Sequence, residues 1–144
     1  MANKNKHGAV EHSKTVVLYS PDMEFCISLA VFFQDRYNMI TTTEIESLFT
    51  IVQARQPELV IVDDSTRKPG VLPAEKITER LDTIRRRNPD LRSMLFRVLR
   101  TCDKRLEEYL SRSVDVIIYK PFDVDTVLRS IEQLLDVQDV DAKV

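Results

Sequence analysis

The chain has 144 residues, of which 43% are hydrophobic and 31% charged, and its formal net charge is −2. This length and hydrophobic fraction fit one domain with its own core, and the small net charge excludes both a strongly basic nucleic-acid binder and a strongly acidic disordered chain. No run approaches the roughly 18 apolar residues that a membrane span needs, and the polar start lacks the apolar region of a signal peptide. We therefore expect a cytoplasmic protein.

Glycine and cysteine are both scarce. The two glycines, Gly8 and Gly70, leave no loop in which several backbone N–H groups could approach a phosphate, so a Walker A loop and a dinucleotide fingerprint are both excluded. The two cysteines, Cys26 and Cys102, stand alone and far apart. Their isolation indicates free thiols in a reducing compartment rather than a disulfide or a metal site.

Five short runs of apolar or β-branched residues predict strands, and each is followed by a helical pattern. In chain order, the predicted strands are Thr15–Tyr19, Met39–Thr42, Leu59–Val62, Ser93–Leu99 and Val114–Tyr119. Apolar residues at three- and four-residue spacings then predict five helices, with leading positions Phe25 and Leu29, Ile45 and Leu48, Ile77 and Leu81, Leu106 and Leu110, and Val124 and Val127.

Cap and breaker residues set the ends of these elements. Ser20 is suited to cap the first helix, and Pro21 to lie in its first turn. Pro57 ends the second helix because proline cannot continue one. Residues 137–144 are weakly patterned, like residues 1–13, and we expect a flexible tail at each end.

The alternation of strands and helices predicts an α/β fold over residues 14–136. A single doubly wound, five-stranded parallel sheet in the order 2-1-3-4-5, a flavodoxin-like architecture, suits this size. The first and third strands are then neighbours at the point where the strand order reverses. Chemistry is therefore expected where the residues after Tyr19 meet those after Val62.

Two segments resemble bacterial response-regulator receiver domains of the CheY-like superfamily. Lys120-Pro121-Phe122, directly after the fifth strand, is similar to the Lys-Pro-Phe motif of that family, and the segment 57–63 is similar to the one that ends in the phospho-accepting aspartate. The resemblance implies that Asp63 accepts a phosphoryl group, that Lys120 contacts it, and that the Lys120–Pro121 peptide bond is cis. It also implies Mg²⁺, which neutralises the charge that develops in phosphoryl transfer.

The acidic pair that holds Mg²⁺ in this family is missing. Ser20 and Pro21 stand at its two positions, and Asp22 falls one place later. Asp22 and Asp63 are thus weak candidate metal ligands, and at most weak Mg²⁺ binding is expected. Asp22 also has a simpler interpretation as a residue favoured by the helix dipole.

The positions that report phosphorylation in the family are also substituted. Arg97 or Val98 stands in place of a hydroxyl residue, and Ile117 in place of an aromatic one. The prolines of the loop after Asp63 are displaced to Pro69 and Pro73. The chain therefore resembles an atypical receiver, or pseudo-receiver.

We expect a stand-alone signalling module of a two-component or phosphorelay system that acts mainly by contact with a protein partner, a histidine kinase or a downstream effector. It is not expected to be an enzyme, beyond self-phosphorylation of Asp63 at most. The alternative is a working phosphoacceptor with an unorthodox Mg²⁺ site. A flavin- or nucleotide-binding enzyme on the same scaffold is disfavoured because Asp22 places an acid where a phosphate would bind.

Each site residue has a simpler structural interpretation as well. Lys120 can be an ion-pair partner of Asp63 without chemistry, and Asp64 is expected to be solvated. The basic stretch from Arg80 to Arg105 is expected to be a solvated surface rather than a nucleic-acid site, because no aromatic residues are interleaved with it.

The resemblance finally implies an interaction face on the fourth helix, fifth strand and fifth helix, which could support a homodimer. Its predicted members are Lys104, Arg105, Tyr109, Ile118, Val127 and Arg129.

Overall fold

Strands and helices alternate along the chain as the sequence pattern predicts. A computed structural model describes residues 14–64, 71–98 and 103–143, with side chains described up to residue 135. The strands are β1 (Thr15–Tyr19), β2 (Asn38–Thr42), β3 (Leu59–Asp64), β4 (Arg92–Arg97) and β5 (Val116–Tyr119). The helices are α1 (Met23–Phe33), α2 (Ile45–Arg55), α3 (Ala74–Arg85), α4 (Lys104–Ser113) and α5 (Val124–Lys143).

The strands form one parallel sheet in the order β2-β1-β3-β4-β5, which confirms the predicted fold class. The central strands are continuous apolar runs because helices cover both faces of the sheet. Residues of α2, α3 and α4 pack with Val17, Val60 and Leu95 on one face. Residues of α1 and α5 pack with Leu18, Ile61 and other residues of the strands on the opposite face.

Several element ends differ from the prediction. Asp22, not Ser20, is the N-cap of α1, and its carboxylate accepts a hydrogen bond from the backbone N–H of Phe25 at 3.2 Å. Ser20 is instead buried against β3, where its hydroxyl has another partner. The last helix continues to Lys143, through most of the segment predicted as a C-terminal tail.

Some predictions fall outside the described residues. These are the N-terminal tail over residues 1–13, the displaced Pro69 and the second cysteine, Cys102. Cys26 is described, and it is a buried free thiol on α1, as predicted. Within the part of the chain that the structure describes, no helix has the length and apolar character needed to cross a membrane.

Candidate acidic site at the carboxyl end of the sheet

The site forms where β1 and β3 end side by side. Tyr19 pairs with Val62 in the parallel register, so the next residues, Ser20 and Asp63, lie opposite each other. Both are buried, and the Asp63 side chain is only 1% exposed. The Ser20 hydroxyl donates a hydrogen bond to Oδ2 of Asp63 at 2.6 Å. Ser20 therefore binds one of the two oxygens of the carboxylate that, by the family resemblance, would be phosphorylated.

The orientation of the Ser20 hydroxyl is fixed from its other side. Its oxygen accepts a hydrogen bond from the backbone N–H of Asp22 at 3.0 Å. A hydroxyl that both accepts and donates has a defined direction, because its single hydrogen must point at the remaining acceptor. The turn between β1 and α1 thus holds the Ser20 hydroxyl against Asp63.

Lys120 holds the other oxygen of the same carboxylate. Its ammonium nitrogen lies 3.0 Å from Oδ1 of Asp63, and the Lys120–Pro121 peptide bond is cis, as the resemblance implies. A buried carboxylate needs a paired cation and further hydrogen bonds to offset the loss of hydration. Lys120 and Ser20 supply both to Asp63.

An aromatic ring lies against the Lys120 ammonium. The ammonium nitrogen lies 3.9 Å from the centre of the Phe25 ring, a cation–π geometry. Phe25, Phe96 and Phe122 pack together, with centroid distances of 4.8–6.3 Å. We call Ser20, Asp63, Lys120 and Phe25 the Asp63 pocket.

The neighbouring carboxylates have partners of their own. Asp22 caps α1, in line with its simpler interpretation. Asp64 was predicted to be solvated, and this is wrong, because its Oδ2 lies 2.5 Å from the Arg97 guanidinium and its side chain is only 17% exposed. Each acid at this edge of the sheet therefore has a structural role in the fold.

These residues do not fit a Mg²⁺ site. Mg²⁺ requires oxygen ligands in near-octahedral geometry, and proteins usually hold it through one or two carboxylates. The oxygens of those carboxylates must be available to the ion. Here each oxygen of Asp63 has a donor within 3.0 Å, and Asp22 is turned to its own helix. Among the residues described, no group of three or more His, Cys, Asp or Glu side chains could hold a metal ion.

Arg97, which with Val98 was predicted to stand in place of a hydroxyl residue, forms an ion-pair network. Its side chain is only 6% exposed, and its two terminal nitrogens contact Asp64 on β3 and Glu107 on α4, the latter at 2.7 Å. Glu107 also accepts a hydrogen bond from the hydroxyl of Tyr119 on β5 at 2.8 Å. The network ties β3, β4, α4 and β5 together.

The other two substituted positions are apolar. Val98 follows β4 directly and is half-buried, and Ile117 on β5 is half-buried against the core shared with α2, α3 and α4. Neither side chain can make the hydrogen bonds that a hydroxyl or a phenol would make at these positions.

The predicted interaction face is only partly a surface. Ile118 and Val127 are 7% and 0% exposed and belong to the core between β5 and α5, so assigning them to the face was wrong. The period of α5 places Val127 on the same side as Ile131 and Leu135, which are also buried. The remaining predicted members are exposed or half-buried, and they are Lys104, Arg105, Tyr109 and Arg129.

The charge of Asp63 affects two neighbouring groups. Burial raises the pKa of the Tyr19 phenol, and the nearby carboxylates of Asp63 and Asp64 raise it further. Burial likewise raises the pKa of the Cys26 thiol. A hydrogen bond with the Ser20 backbone lowers this pKa in part, and the charge of Asp63 raises it further. Both groups are therefore neutral at physiological pH.

Acidic side chains of the same fold hold several members of the basic stretch. Arg80 pairs with Glu46 at 3.0 Å, and Arg97 pairs with Asp64 and Glu107. Arg85 lies 3.9 Å from Asp115. These contacts account for part of the stretch without a nucleic-acid ligand.

Comparison with known proteins shows which fold the chain has. No protein-family model and no curated protein matches the chain. Among solved structures, it is similar to a signal receiver domain from Vibrio parahaemolyticus (TM-score 0.73, 15% identity, covering 90% of this chain and 95% of that one). It is also similar to a CheY-like response regulator receiver domain protein from Methanospirillum hungatei (TM-score 0.72, 16%, 90% and 98%). A response regulator from Thermotoga maritima is a third (TM-score 0.69, 21%, 86% and 98%).

The chain has the receiver-domain fold. The likeness covers nearly the whole of each of these domains, and it confirms the fold that Lys120-Pro121-Phe122 and Asp63 suggested. At these identities the similarity shows the fold alone. The chemistry of the site has to be argued from the residues of this chain.

Two contacts of the site were missed from sequence. Ser20 was predicted as a helix cap and noted as a missing acid, although its position at the end of β1 next to Asp63 could have suggested a hydroxyl donor. The contact between Phe25 and Lys120 joins residues that are far apart in the chain, so no local sequence pattern predicts it.

Proposed function

We propose that this chain is a receiver-like signalling module that acts by binding a protein partner, with Asp63 as a structural acid rather than a phosphoacceptor. The observation that carries the proposal is the double engagement of Asp63, by the Ser20 hydroxyl at 2.6 Å and the Lys120 ammonium at 3.0 Å. Phosphorylation would have to break the Ser20 contact and expose a carboxylate that is 1% exposed.

Metal chemistry supports the same proposal. The metal offsets the charge that develops as a phosphoryl group is transferred, and the residues at Ser20 and Pro21 contribute no carboxylate to hold one. A single Lys120 charge is already matched by Asp63 and cannot also neutralise an incoming phosphate. The proposed module therefore works without Mg²⁺ and has no enzymatic activity of its own.

The partner is proposed to be a histidine kinase or a downstream effector protein. Arg97 supports this mode of action because its ion pairs with Asp64 and Glu107 hold α4 in one position without any phosphoryl signal. A surface held in one state can be recognised constitutively. A homodimer through α4, β5 and α5 stays a prediction, and the mass of a monomer at every concentration in solution would count against it.

The alternative, a working phosphoacceptor, rests on the closeness of Lys120 to Asp63, which is also the arrangement that would contact a phosphoryl group. Incubation with acetyl phosphate and Mg²⁺, followed by intact-mass spectrometry, separates the two. We expect an unchanged mass for the wild-type chain while a receiver domain with an intact acidic pair, treated in parallel, gains a phosphoryl group. A gain in the wild type that Asp63→Asn abolishes would refute the proposal and establish the alternative.

A further inference from the structure

A cavity of about 410 Å³ lies between the carboxyl ends of α2 and α3. These helices lead into β3 and β4, which begin at Leu59 and Arg92, so the cavity lies at the edge of the sheet where the strands begin. The Asp63 pocket is at the opposite edge. The volume falls in the range of about 300–1,000 Å³ that small-molecule sites occupy. We call this space the α2–α3 cavity.

Two nearly buried aliphatic residues line the α2–α3 cavity. Val52 of α2 and Ile84 of α3 are 1% and 8% exposed, and both belong to the core that includes Val60 and Val62 of β3. A ligand that covers such side chains removes apolar surface from water, which is favourable for a ring or a branched chain. The cavity therefore suits a ligand with a compact apolar body.

The other described residues that line the cavity are polar, and none of them is acidic. They are Gln53, Gln56, Thr83, Arg87 and Asn88. The carboxamides and the hydroxyl can each donate and accept hydrogen bonds, whereas the guanidinium has five N–H donors and no acceptor. This chemistry favours an anion. A carboxylate carries the single negative charge that one guanidinium can neutralise, and it binds a guanidinium through two parallel hydrogen bonds.

Arg80 and Arg85 of α3 have acidic partners in the fold, whereas Arg87 has none among the residues that the structure describes. Arg80 lies 3.0 Å from Glu46, and Arg85 lies 3.8 Å from Asp82. Arg87 is exposed, so its guanidinium is accessible to a ligand that arrives from solvent. The charge of Arg87 is therefore available to pair with a bound anion.

The ends of α2 and α3 do not cancel this charge. A helix carries a partial negative charge at its carboxyl end, which by itself would oppose an anion. Arg55 and Arg85, in the last turns of the two helices, offset that partial charge. The carbonyls of Val52 and Ile84 also accept backbone hydrogen bonds, at 3.0–3.1 Å, from residues that follow them in the chain. The full charge of Arg87 therefore remains the main electrostatic feature of the cavity.

Gln56 has a backbone conformation that glycine adopts more readily. Its φ of 47° and ψ of 60° are left-handed, and its N–H closes α2 by donating to the carbonyl of Val52. Helices that end in this way usually have glycine or asparagine at that position. The chain instead keeps a longer carboxamide there, at the lining of the cavity. Residues held in a sparsely populated conformation are frequent at ligand sites.

We propose that the α2–α3 cavity binds a small organic carboxylate, with the carboxylate on Arg87 and the apolar body on Val52 and Ile84. The carboxamides that line the cavity supply further hydrogen bonds to the carboxylate oxygens. This inference goes beyond the proposed function and does not depend on it, because the cavity shares no residue with the Asp63 pocket.

Benzoate is a suitable probe, since it joins a carboxylate to a compact ring. Benzamide is the matched neutral ligand of nearly the same shape, and acetate keeps the carboxylate without the ring. Each is titrated near neutral pH into the ¹⁵N-labelled full chain, and amide shifts are followed. We expect benzoate to give saturable shifts in residues 52–56 and 83–88, with a dissociation constant of about 1 mM, as suits a ligand of so few atoms. Benzamide and acetate should bind at least about fivefold more weakly.

A first pair of variants tests the charge. Arg87→Gln removes the cation but keeps hydrogen-bond donors, so it should weaken benzoate binding about fivefold or more and leave benzamide binding unchanged. Arg86→Gln is the matched control, because Arg86 is the neighbouring exposed arginine and does not line the cavity. It should bind both probes like the wild type.

A second pair tests the space. Thr83→Trp should place an indole between the helices and abolish the saturable shifts with benzoate. Thr50→Trp is its control, because Thr50 is also exposed and, like Thr83, donates its hydroxyl to the carbonyl four residues earlier, but does not line the cavity. Thermal unfolding confirms that the variants fold, and the arginine pair still decides the test if Thr83→Trp does not.

The inference is overturned if benzoate gives no saturable shifts up to about 20 mM, about twenty times the expected constant. Shifts that lie outside residues 52–56 and 83–88 would also overturn it. So would benzamide or acetate binding as tightly as benzoate, or equal binding of benzoate by Arg87→Gln and Arg86→Gln.

Discussion

Removal of the Lys120 ammonium should destabilise the fold strongly. Lys120→Met keeps most of the apolar stem but removes the cation, which lies 3.0 Å from Oδ1 of Asp63 and over the Phe25 ring. Breaking a buried ion pair by removing one partner costs about 3–5 kcal/mol, because the other charge remains buried. The lower end applies here, since Ser20 still donates to the carboxylate and 22% of the Lys120 side chain is exposed. We expect a loss of about 3 kcal/mol.

Urea unfolding followed by circular dichroism measures this loss. With a slope of about 1.5 kcal/mol per M, a loss of about 3 kcal/mol lowers the midpoint by about 2 M. Lys104→Met is the matched control, because Lys104 is exposed on α4 and surface changes of this kind shift stability by about 0.5 kcal/mol or less.

A double-mutant cycle isolates the pair. Asp63→Asn removes the charge of the partner while keeping its shape, so Lys120→Met/Asp63→Asn should recover most of the stability that Lys120→Met loses. We expect a coupling free energy of about 2 kcal/mol or more. A coupling near zero, or a loss below about 1 kcal/mol for Lys120→Met, would refute the reasoning that Lys120 stabilises a buried carboxylate.

Three further outcomes are expected. Arg97→Met should lower the free energy of unfolding by about 2–4 kcal/mol, because it removes the guanidinium that pairs with two largely buried carboxylates. Urea unfolding of Arg129→Met, an exposed control, should match the wild type. Equal losses in both variants would contradict the network. Asp22→Ala should cost about 1 kcal/mol through loss of the α1 cap, measured by thermal unfolding; no change would show that the cap hydrogen bond is not stabilising. Burial raises the pKa of the Cys26 thiol in the folded state. The folded chain therefore keeps this proton at a pH where the unfolded chain loses it. The free energy of unfolding should fall as pH rises from about 8 to about 10. Cys26→Ala should make that fall shallower, and an identical pH profile would exclude the contribution.

The fold was predictable because its signals are local. The apolar run Leu59–Val62 predicts a buried parallel strand. The repeated alternation of such strands with amphipathic helices allows few topologies. Lys120-Pro121-Phe122 then identified which α/β fold to expect. The length of α5 was missed because Val137 and Val140 lie out of phase with the apolar row of Ile131 and Leu135.

The contacts of the site were less predictable than its location. Sequence placed Asp63 and Lys120 at one edge of the sheet, but the donor role of Ser20 depends on the register between β1 and β3. Arg97 was predicted, together with Val98, to stand in place of a hydroxyl residue. One of its two ion pairs depends on Glu107, which lies on a separate helix. Ile118 and Val127 were assigned to a surface by analogy, whereas packing between β5 and α5 buries them.

The central claim is that the Asp63 pocket is closed by the chain's own side chains. A titration of the ¹⁵N-labelled chain with Mg²⁺ tests it directly, through the backbone amide signals of Ser20, of residues 22–25 and of residues 63–64. We predict that these signals stay unchanged up to about 10 mM Mg²⁺, above the roughly millimolar range of weak divalent sites. Saturable shifts of the same signals, lost in Asp63→Asn, would contradict the claim and show that a metal displaces Ser20 or Lys120 from the carboxylate.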